Sequence, residues 1–152
     1  LTALLLSSCS KPEQYPVVPA LSFKSYSVKD TMDKLGNTLS QIKLVFSFTD
    51  GDGDIGLGDA DTTAPYDYNF FTTCYEKQNG VFTELVQEPG LRNYRIPVLG
   101  DLSAPLNLKG ELEIQIDYYL SAADTLRYSA YLTDRKLHKS NIAETTEILL
   151  NP

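Results

Sequence analysis

"QIKLVFSF", residues 41–48, decides the fold class of this chain. Apolar residues alternate along it with others, so that one face carries Ile42, Leu44, Phe46 and Phe48. A period of two residues is the pattern of a strand that buries one face. The stretch therefore predicts a β-strand whose even-numbered side chains point into a hydrophobic core.

Two later stretches repeat the pattern, "ELEIQIDYYL" at 111–120 and "TLRYSAYLTD" at 125–134. Their inward residues are again even-numbered: Leu112, Ile114, Ile116 and Tyr118, then Leu126, Tyr128, Ala130 and Leu132. If the two strands form a hairpin, the numbers of two directly paired residues should therefore add up to an even number. We expect that hairpin, with Arg127 opposite Asp117 or Tyr119 according to the loop length, and with Tyr118 and Tyr128 buried on the same side.

Less regular strands are predicted over the remaining chain, at 21–29, 69–77, 81–88, 92–98 and 142–150. Turn signals separate the strands, at Asn79-Gly80, Pro89-Gly90, Gly100-Asp101 and Lys109-Gly110. No amphipathic helical pattern is visible. About eight strands predict an all-β fold, an antiparallel β-sandwich of the immunoglobulin-like or fibronectin type III-like kind, forming one domain over residues 20–152.

Composition limits the class of protein. A chain of 152 residues is long enough for one domain with a single core, and 42% hydrophobic with 22% charged residues is typical of globular proteins. The formal net charge is −7. Because Lys and Arg supply the affinity for phosphate backbones, this balance argues against a nucleic-acid partner.

The first nine residues, "LTALLLSSC", combine an apolar run with small residues before a cysteine. Leu6, Ser7, Ser8 and Cys9 resemble the lipobox of bacterial lipoproteins. The resemblance implies that residues 1–8 end a truncated signal peptide and that Cys9 carries diacylglycerol and acyl chains, which together anchor a protein stably in a bilayer. The alternative is the start of a buried helix with a chance cysteine.

Residues 10–19, "SKPEQYPVVP", contain three prolines. Such a segment stays extended at about 3.1 Å per residue, so it could hold a domain roughly 30 Å from a bilayer. We therefore expect residues 9–19 to form the lipidated cysteine and a tether. The expected location is the bacterial outer membrane, with the periplasmic side and the cell surface both open.

"FTDGDGDIGLGDAD", residues 48–61, contains five aspartates and four glycines. The next predicted strand begins near Asn69, and irregular loops this long are uncommon unless they are functional or disordered. A bound Ca²⁺ would remove the repulsion between the aspartates and order the loop. The alternative is an ion-free polar loop, since Asp-Gly pairs also favour turns.

The spacing of the aspartates resembles EF-hand and thrombospondin-type calcium loops. Asp50, Asp52 and Asp54 match the first, third and fifth places, and Asp61 matches the twelfth. Ile55 stands where an EF-hand has glycine, and flanking helices are missing from the pattern. We therefore expect a calcium loop on a β-scaffold, with possible ligands Asp50, Asp52, Asp54, Asp59 and Asp61.

A sixth candidate ligand follows from the alternation of loops between the two ends of a sandwich. If every predicted strand crosses once, the loop at 121–124 shares an end with the acidic loop. This adds Asp124 to the candidate metal ligands.

Four segments together resemble bacterial envelope lipoproteins that have an immunoglobulin-like domain: "FTDGDGDIGL", residues 69–77, "YRIPVL" and "TLRYSAYLTDRKLHKSN". Their end also resembles the last hairpin of a fibronectin-type domain, with a turn at 134–141 and an edge strand at 142–150. The group has no established activity, so the resemblance implies location and fold alone.

Catalytic residues are sparse. Cys74 could act as a nucleophile with His138, the single histidine, but a buried cysteine and a surface histidine are the more ordinary roles. We expect a non-catalytic, lipid-anchored module that binds the membrane through its anchor and a protein or glycan as partner.

The alternative is a small metal-dependent hydrolase, or a glycan-active or glycan-binding protein, that uses the acidic loop. Candidate glycan contacts are Tyr66, Tyr68, Tyr119 and Tyr131. An enzyme would need a concave site with convergent groups of perturbed pKa near residues 50–61.

Overall fold

The computed structural model describes residues 13–86, 92–99, 107–119 and 123–150, so Cys9 and the signals at Pro89-Gly90 and Gly100-Asp101 lie outside the described residues. The described ranges contain nine strands and no helix. The strands are β1 (Ala20–Met32), β2 (Thr38–Asp50), β3 (Phe70–Gln78), β4 (Val81–Glu84), β5 (Asn93–Tyr94), β6 (Leu108–Tyr119), β7 (Thr125–Leu132), β8 (Ala143–Glu144) and β9 (Ile148–Leu149). A helix long and apolar enough to span a bilayer is accordingly not found in these ranges.

Two antiparallel sheets face each other. The first has the order β1-β2-β6, and the second has the order β4-β3-β7-β8, with β5 beside β3 and β9 beside β7. The all-β sandwich is therefore confirmed, and the segment predicted as one strand at 142–150 is divided into β8 and β9.

The even-numbered faces of β2, β6 and β7 form the core, as the alternation predicted. Ile42, Leu44, Phe46, Leu126, Tyr128 and Leu132 are all fully buried. An edge-to-face series of aromatic rings, Phe23–Phe46–Phe70–Tyr94, crosses from one sheet to the other with centroid separations of 5.7, 5.6 and 6.2 Å. Burial of this apolar surface, at about 25 cal/mol per Å², holds the sheets together.

The predicted β6–β7 hairpin is wrong. β6 pairs with β2, placing Asp117 opposite Gln41, whereas β7 pairs with β3, placing Arg127 opposite Tyr75. Tyr118 and Tyr128 are both buried, but from opposite sheets. The alternation of a strand shows which face is inward and not which sheet it joins, so a connection between sheets carries the same pattern as a hairpin.

The two ends of the sandwich carry different loops because β4 and β5 together make one crossing. β4 pairs with the last residues of β3 and β5 pairs with its first two. Residues 51–69, 95–99 and 133–142 therefore lie at one end, which we call the acidic end. The turns at 33–37 and 79–80, together with Asp124, lie at the other, which we call the far end.

The described part of the predicted tether is docked on the acidic end. The Gly51 amide donates to the Pro16 carbonyl at 2.8 Å, and the Asn107 side chain accepts from the Tyr15 amide at 2.9 Å. A Cβ at Gly51 would overlap the Tyr15 carbonyl oxygen, so the backbones meet at a position that requires glycine. Residues 13–16 thus belong to the domain surface.

Candidate metal centre

Two buried aspartates close the core at the acidic end. Asp50 continues the inward face of β2 beyond Phe48, and Asp134 continues that of β7 beyond Leu132. The exposed fraction is 0% for Asp50 and 2% for Asp134. Because β2 and β7 belong to facing sheets, the two carboxyl groups meet where the apolar core ends.

Asp52 and Asp54 complete a group of four carboxylates, which we call the aspartate cluster. One side-chain oxygen from each of Asp50, Asp52, Asp54 and Asp134 lies within 4.8 Å of all the others. The Asp54 amide donates to Asp50 Oδ2 at 3.0 Å, which turns the chain back after β2 and brings the third aspartate over the first. Positive φ at Gly53 (70°) allows this tight reversal.

Three oxygens of the cluster are buried without a hydrogen-bond partner: Oδ1 of Asp50, Asp52 and Asp54. An unsatisfied buried polar atom costs roughly 1–3 kcal/mol, and a charged one costs more. Burial, and then the charges of Asp52 and Asp54, raise the pKa of Asp50 to about 6. The chain thus holds oxygens facing one another in a geometry that a cation would stabilise.

Lys136 is a basic side chain that reaches the cluster. Its Nζ pairs with Asp54 Oδ2 at 3.1 Å and with Asp52 Oδ2, and these hydrogen bonds raise its pKa. His138 Nδ1 lies 2.7 Å from Asp134 Oδ2. Since Lys136 contacts Oδ2 of both aspartates, the three unpartnered Oδ1 atoms remain available to a second cation.

The loop that follows the cluster packs against the core. Ile55 is fully buried, and the Leu57 amide donates to the Ile96 carbonyl at 2.9 Å. Gly56, with φ of 132°, lies against the backbone of Val98. The Arg95 guanidinium then donates to the carbonyls of Gly58 at 3.0 Å and Asp67 at 2.9 Å. The long loop is therefore ordered by contacts of its own beyond the cluster.

Two of the predicted ligands in the acidic loop, Asp59 and Asp61, lie outside the cluster. Asp61 Oδ2 accepts from the Gly58 amide at 2.7 Å and from Arg135 at 2.8 Å, and the Arg135 hydrogen bond lowers its pKa. Asp59 is exposed to solvent. Asp61 thus lies apart from Asp50, Asp52 and Asp54 although it matches the twelfth place of an EF-hand loop. The buried side chain of Ile55 directs the loop along a different path.

Asp124 lies at the far end, and Asp134 takes the fourth position instead. The expectation for Asp124 took 81–88 and 92–98 as two strands that each cross the sandwich. In the structure β4 and β5 together cross it once, so every later loop lies at the opposite end from the one expected. The sequence did hold a signal for Asp134. It is the next even-numbered position after Leu132, as Asp50 is after Phe48.

The proposed thiol pair is separated by the length of β7. Cys74 is buried opposite Tyr128, and burial raises the pKa of its thiol. His138 contacts Asp134, about 20 Å along β7 from Tyr128 at 3.4 Å per residue. The structure therefore does not bring Cys74 and His138 together.

A cleft of about 480 Å³ lies beside the acidic loop, and Asp59, Thr62, Asp67, Tyr68 and Arg95 line it. None of the four clustered aspartates is among these lining residues. Of the other tyrosines considered for glycans, Tyr131 is stacked on Phe71 at 4.8 Å and Tyr119 lies beside Asp33 near the far end.

Comparison with protein-family models, curated proteins and solved structures finds no match to this chain.

The cluster predicts an unusual pH dependence for the calcium-free protein. Since the pKa of Asp50 is about 6 in the folded chain and near 3.9 in the unfolded one, the folded state binds more protons between these values. This contribution to stability is fully present below about pH 4 and is lost as pH rises through about 6. We expect Asp50→Asn, which carries no charge at any pH, to exceed the wild type in unfolding free energy by on the order of 2 kcal/mol at pH 7.

Urea denaturation of both proteins in EDTA, from pH 4 to pH 7.5, measures this difference. The advantage of Asp50→Asn should shrink towards pH 4. A difference that does not change with pH would show that Asp50 titrates normally.

Proposed function

We propose that this chain is a non-catalytic, lipid-anchored β-sandwich module of the bacterial outer membrane, whose acidic end is stabilised by one bound Ca²⁺. The observation that carries the proposal is the orphaned Oδ1 of fully buried Asp50, which belongs to a group of four carboxylates with oxygens within 4.8 Å of one another. The ion would be held by Asp50, Asp52, Asp54 and Asp134. Its role is structural, because it neutralises the charges that β2 and β7 bring together.

The donor set of the cluster supports Ca²⁺ among divalent cations. Opposite ligands of Mg²⁺ lie about 4.2 Å apart, and those of Ca²⁺ about 4.6–5.2 Å apart. One oxygen from each of the four carboxylates lies within 4.8 Å of the others, which is compatible with Ca²⁺, and four carboxylates around one ion suit Ca²⁺ better than Mg²⁺, which usually keeps several waters and takes one or two carboxylates. An all-carboxylate donor set also suits a hard cation better than Zn²⁺, which favours His and Cys.

The surroundings of the cluster support a structural role over a hydrolytic one. The cleft beside the loop is lined by other residues, and the Arg95 guanidinium there is engaged by backbone carbonyls. Asp50 and Asp134 lie beneath the loops of the acidic end, and they are too deeply buried for a substrate to reach them. The Asp50 carboxyl, with its raised pKa, therefore fits a structural role better than a catalytic one.

Titration calorimetry of the soluble domain with Ca²⁺ tests the ligand set. We expect one ion per chain, with a Kd on the order of 10⁻⁴ to 10⁻³ M as in extracellular modules. Asp134→Asn should remove the binding heat, because it deletes a ligand contributed by the end of β7. Asp124→Asn, an equal change at the far end, should retain it. Loss in both variants, or in neither, would contradict the assignment of Asp134.

The lipid anchor rests on Leu6, Ser7, Ser8 and Cys9, and a separate experiment tests it. In bacteria expressing the precursor, Cys9→Ala should move the protein from the membrane fraction to the soluble fraction, since the acyl chains are attached to that thiol and amine. Cys74→Ala, which changes the buried cysteine, should leave it in the membrane. Retention of Cys9→Ala in the membrane fraction would refute the anchor.

A further inference from the structure

The chain enters the domain at the acidic end. Beside the Gly51–Pro16 hydrogen bond, the Asn107 side chain holds residues 13–15 by accepting from the Tyr15 amide and donating to the Glu13 carbonyl. Lys109 adds an ion pair with Glu13 at 3.6 Å. The docked segment therefore leaves the domain next to the aspartate cluster.

The chain length between Cys9 and Glu13 limits how far the domain can stand from its anchor. Four residues span at most about 14 Å when fully extended. Strand β2, with 13 residues, is about 44 Å long at 3.4 Å per residue. An anchor at Cys9 can thus bring the acidic end to a bilayer, while the far end lies beyond its reach.

The turn between β7 and β8 gives the acidic end a surface suited to lipid. Leu137, at its tip, is 46% exposed with φ of 65°, and Lys136 and Lys139 lie on either side of it in sequence. The turn is held in shape because Asp134 accepts from the His138 amide at 2.8 Å. An exposed apolar residue between lysines fits the boundary between anionic headgroups and acyl chains.

Occupation of the cluster would strengthen this surface. Lys136 now pairs with Asp52 and Asp54. An ion held by the Oδ1 atoms of those carboxylates would place a second positive charge beside the lysine and weaken its ion pairs, which would make its ammonium group available to lipid phosphate. The ion and the lipid surface are therefore linked through one side chain.

We propose that the acidic end lies against the bilayer, with the Leu137 turn in contact with anionic lipid headgroups, and that the far end faces outward. This orientation rests on the proposed anchor at Cys9. It also reverses the expectation of a long spacer, since residues 13–16 are part of the domain and cannot act as free tether.

Tryptophan fluorescence on vesicles tests the orientation, because the chain contains no tryptophan of its own. The full chain is coupled through the Cys9 thiol to maleimide lipid in vesicles of phosphatidylethanolamine and phosphatidylglycerol, with brominated acyl chains as quencher and Ca²⁺ present. Cys74 is 1% exposed and is protected from the reagent. The reporters are Leu137→Trp and, as the matched control, Leu35→Trp, at an 88% exposed position of the far end.

We expect brominated lipid to cause loss of fluorescence in Leu137→Trp and none in Leu35→Trp. Adding Asn107→Ala, which releases residues 13–15, should reduce the contrast between the two reporters. Equal loss in both, or greater loss in Leu35→Trp, would overturn the orientation. The protein is attached to the vesicles chemically, so this result does not depend on lipidation in cells. If Cys9 is not lipidated in cells, the proposed function is refuted, but the orientation measured on vesicles is not.

Discussion

Ca²⁺ should raise the unfolding free energy of the domain by about 2.7 kcal/mol when its concentration is about 100 times Kd. For a chain of this size the midpoint of thermal unfolding should rise by about 5–10 °C. The physical reason is that the unfolded chain does not hold Asp50 and Asp134 together, so the proposed ion would bind the folded state alone. Calorimetric melting in Ca²⁺ and in EDTA measures the effect.

Asp50→Asn should remove this stabilisation completely. The amide keeps an oxygen for the Asp54 amide and gives the cluster a donor, but it contributes no charge to hold the ion. Asp59→Asn is the matched control, because Asp59 lies in the same loop and is exposed. It should melt like the wild type in both buffers. Identical wild-type midpoints in EDTA and in Ca²⁺ at about 100 times Kd, on the order of 10–100 mM, would exclude the calcium site.

Gly56→Ala should destabilise the domain by about 3 kcal/mol or more, since both backbone strain and a steric clash oppose the new methyl group. The φ of 132° lies in a region that L-residues rarely adopt, and a Cβ would lie 2.5 Å from Val98 Cα and 2.7 Å from the Pro97 carbonyl oxygen. These are backbone atoms, so the clash can be removed only if the loop moves away from residues 97 and 98. Urea denaturation measures the loss.

Gly36→Ala separates the two causes. Gly36 also has a positive φ, of 86°, but a methyl group added there, in the β1–β2 turn, would have nothing within 4 Å of it. We expect a cost of about 1–2 kcal/mol there from strain alone. Equal losses in the two variants would show that the contact between residues 55–57 and 96–98 contributes nothing to stability.

Gly56→Ala should also affect calcium binding, because the position of residues 55–57 determines where the aspartate cluster lies. Ile55 and Leu57 flank this glycine and fix the path of the chain just after Asp54. A displaced loop should hold Asp52 and Asp54 less firmly over Asp50. We therefore expect weaker calcium binding in Gly56→Ala and unchanged binding in Gly36→Ala.

The sequence predicted the strands with the clearest alternation because burial of one face is a local property. Period two along 41–48 placed Phe46 in the core, and the same pattern placed Tyr118 and Tyr128 there. The weakly patterned strands were less well bounded. Segment 92–98 supplies only β5, since Arg95 and Ile96 are used to hold the acidic loop.

Pairing and loop position could not be predicted in the same way. The partner of β6 depends on the chain passing from one sheet to the other after Tyr119, and nothing in the alternation records that passage. The position of Asp124 depends on whether β4 and β5 cross once or twice. Both are decided by contacts between residues far apart in the sequence.

The sequence by itself determined that this is an all-β chain with an acidic loop after β2, because alternating side chains and crowded aspartates are visible without a partner. The even numbers of Asp50 and Asp134 were visible too, but their meaning was recognised only from the structure. Only the tertiary structure decided that β2 and β7 face each other and bring these two carboxyl groups together at one end. A metal centre depends on distances across the core, and those are fixed by the packing of the sheets.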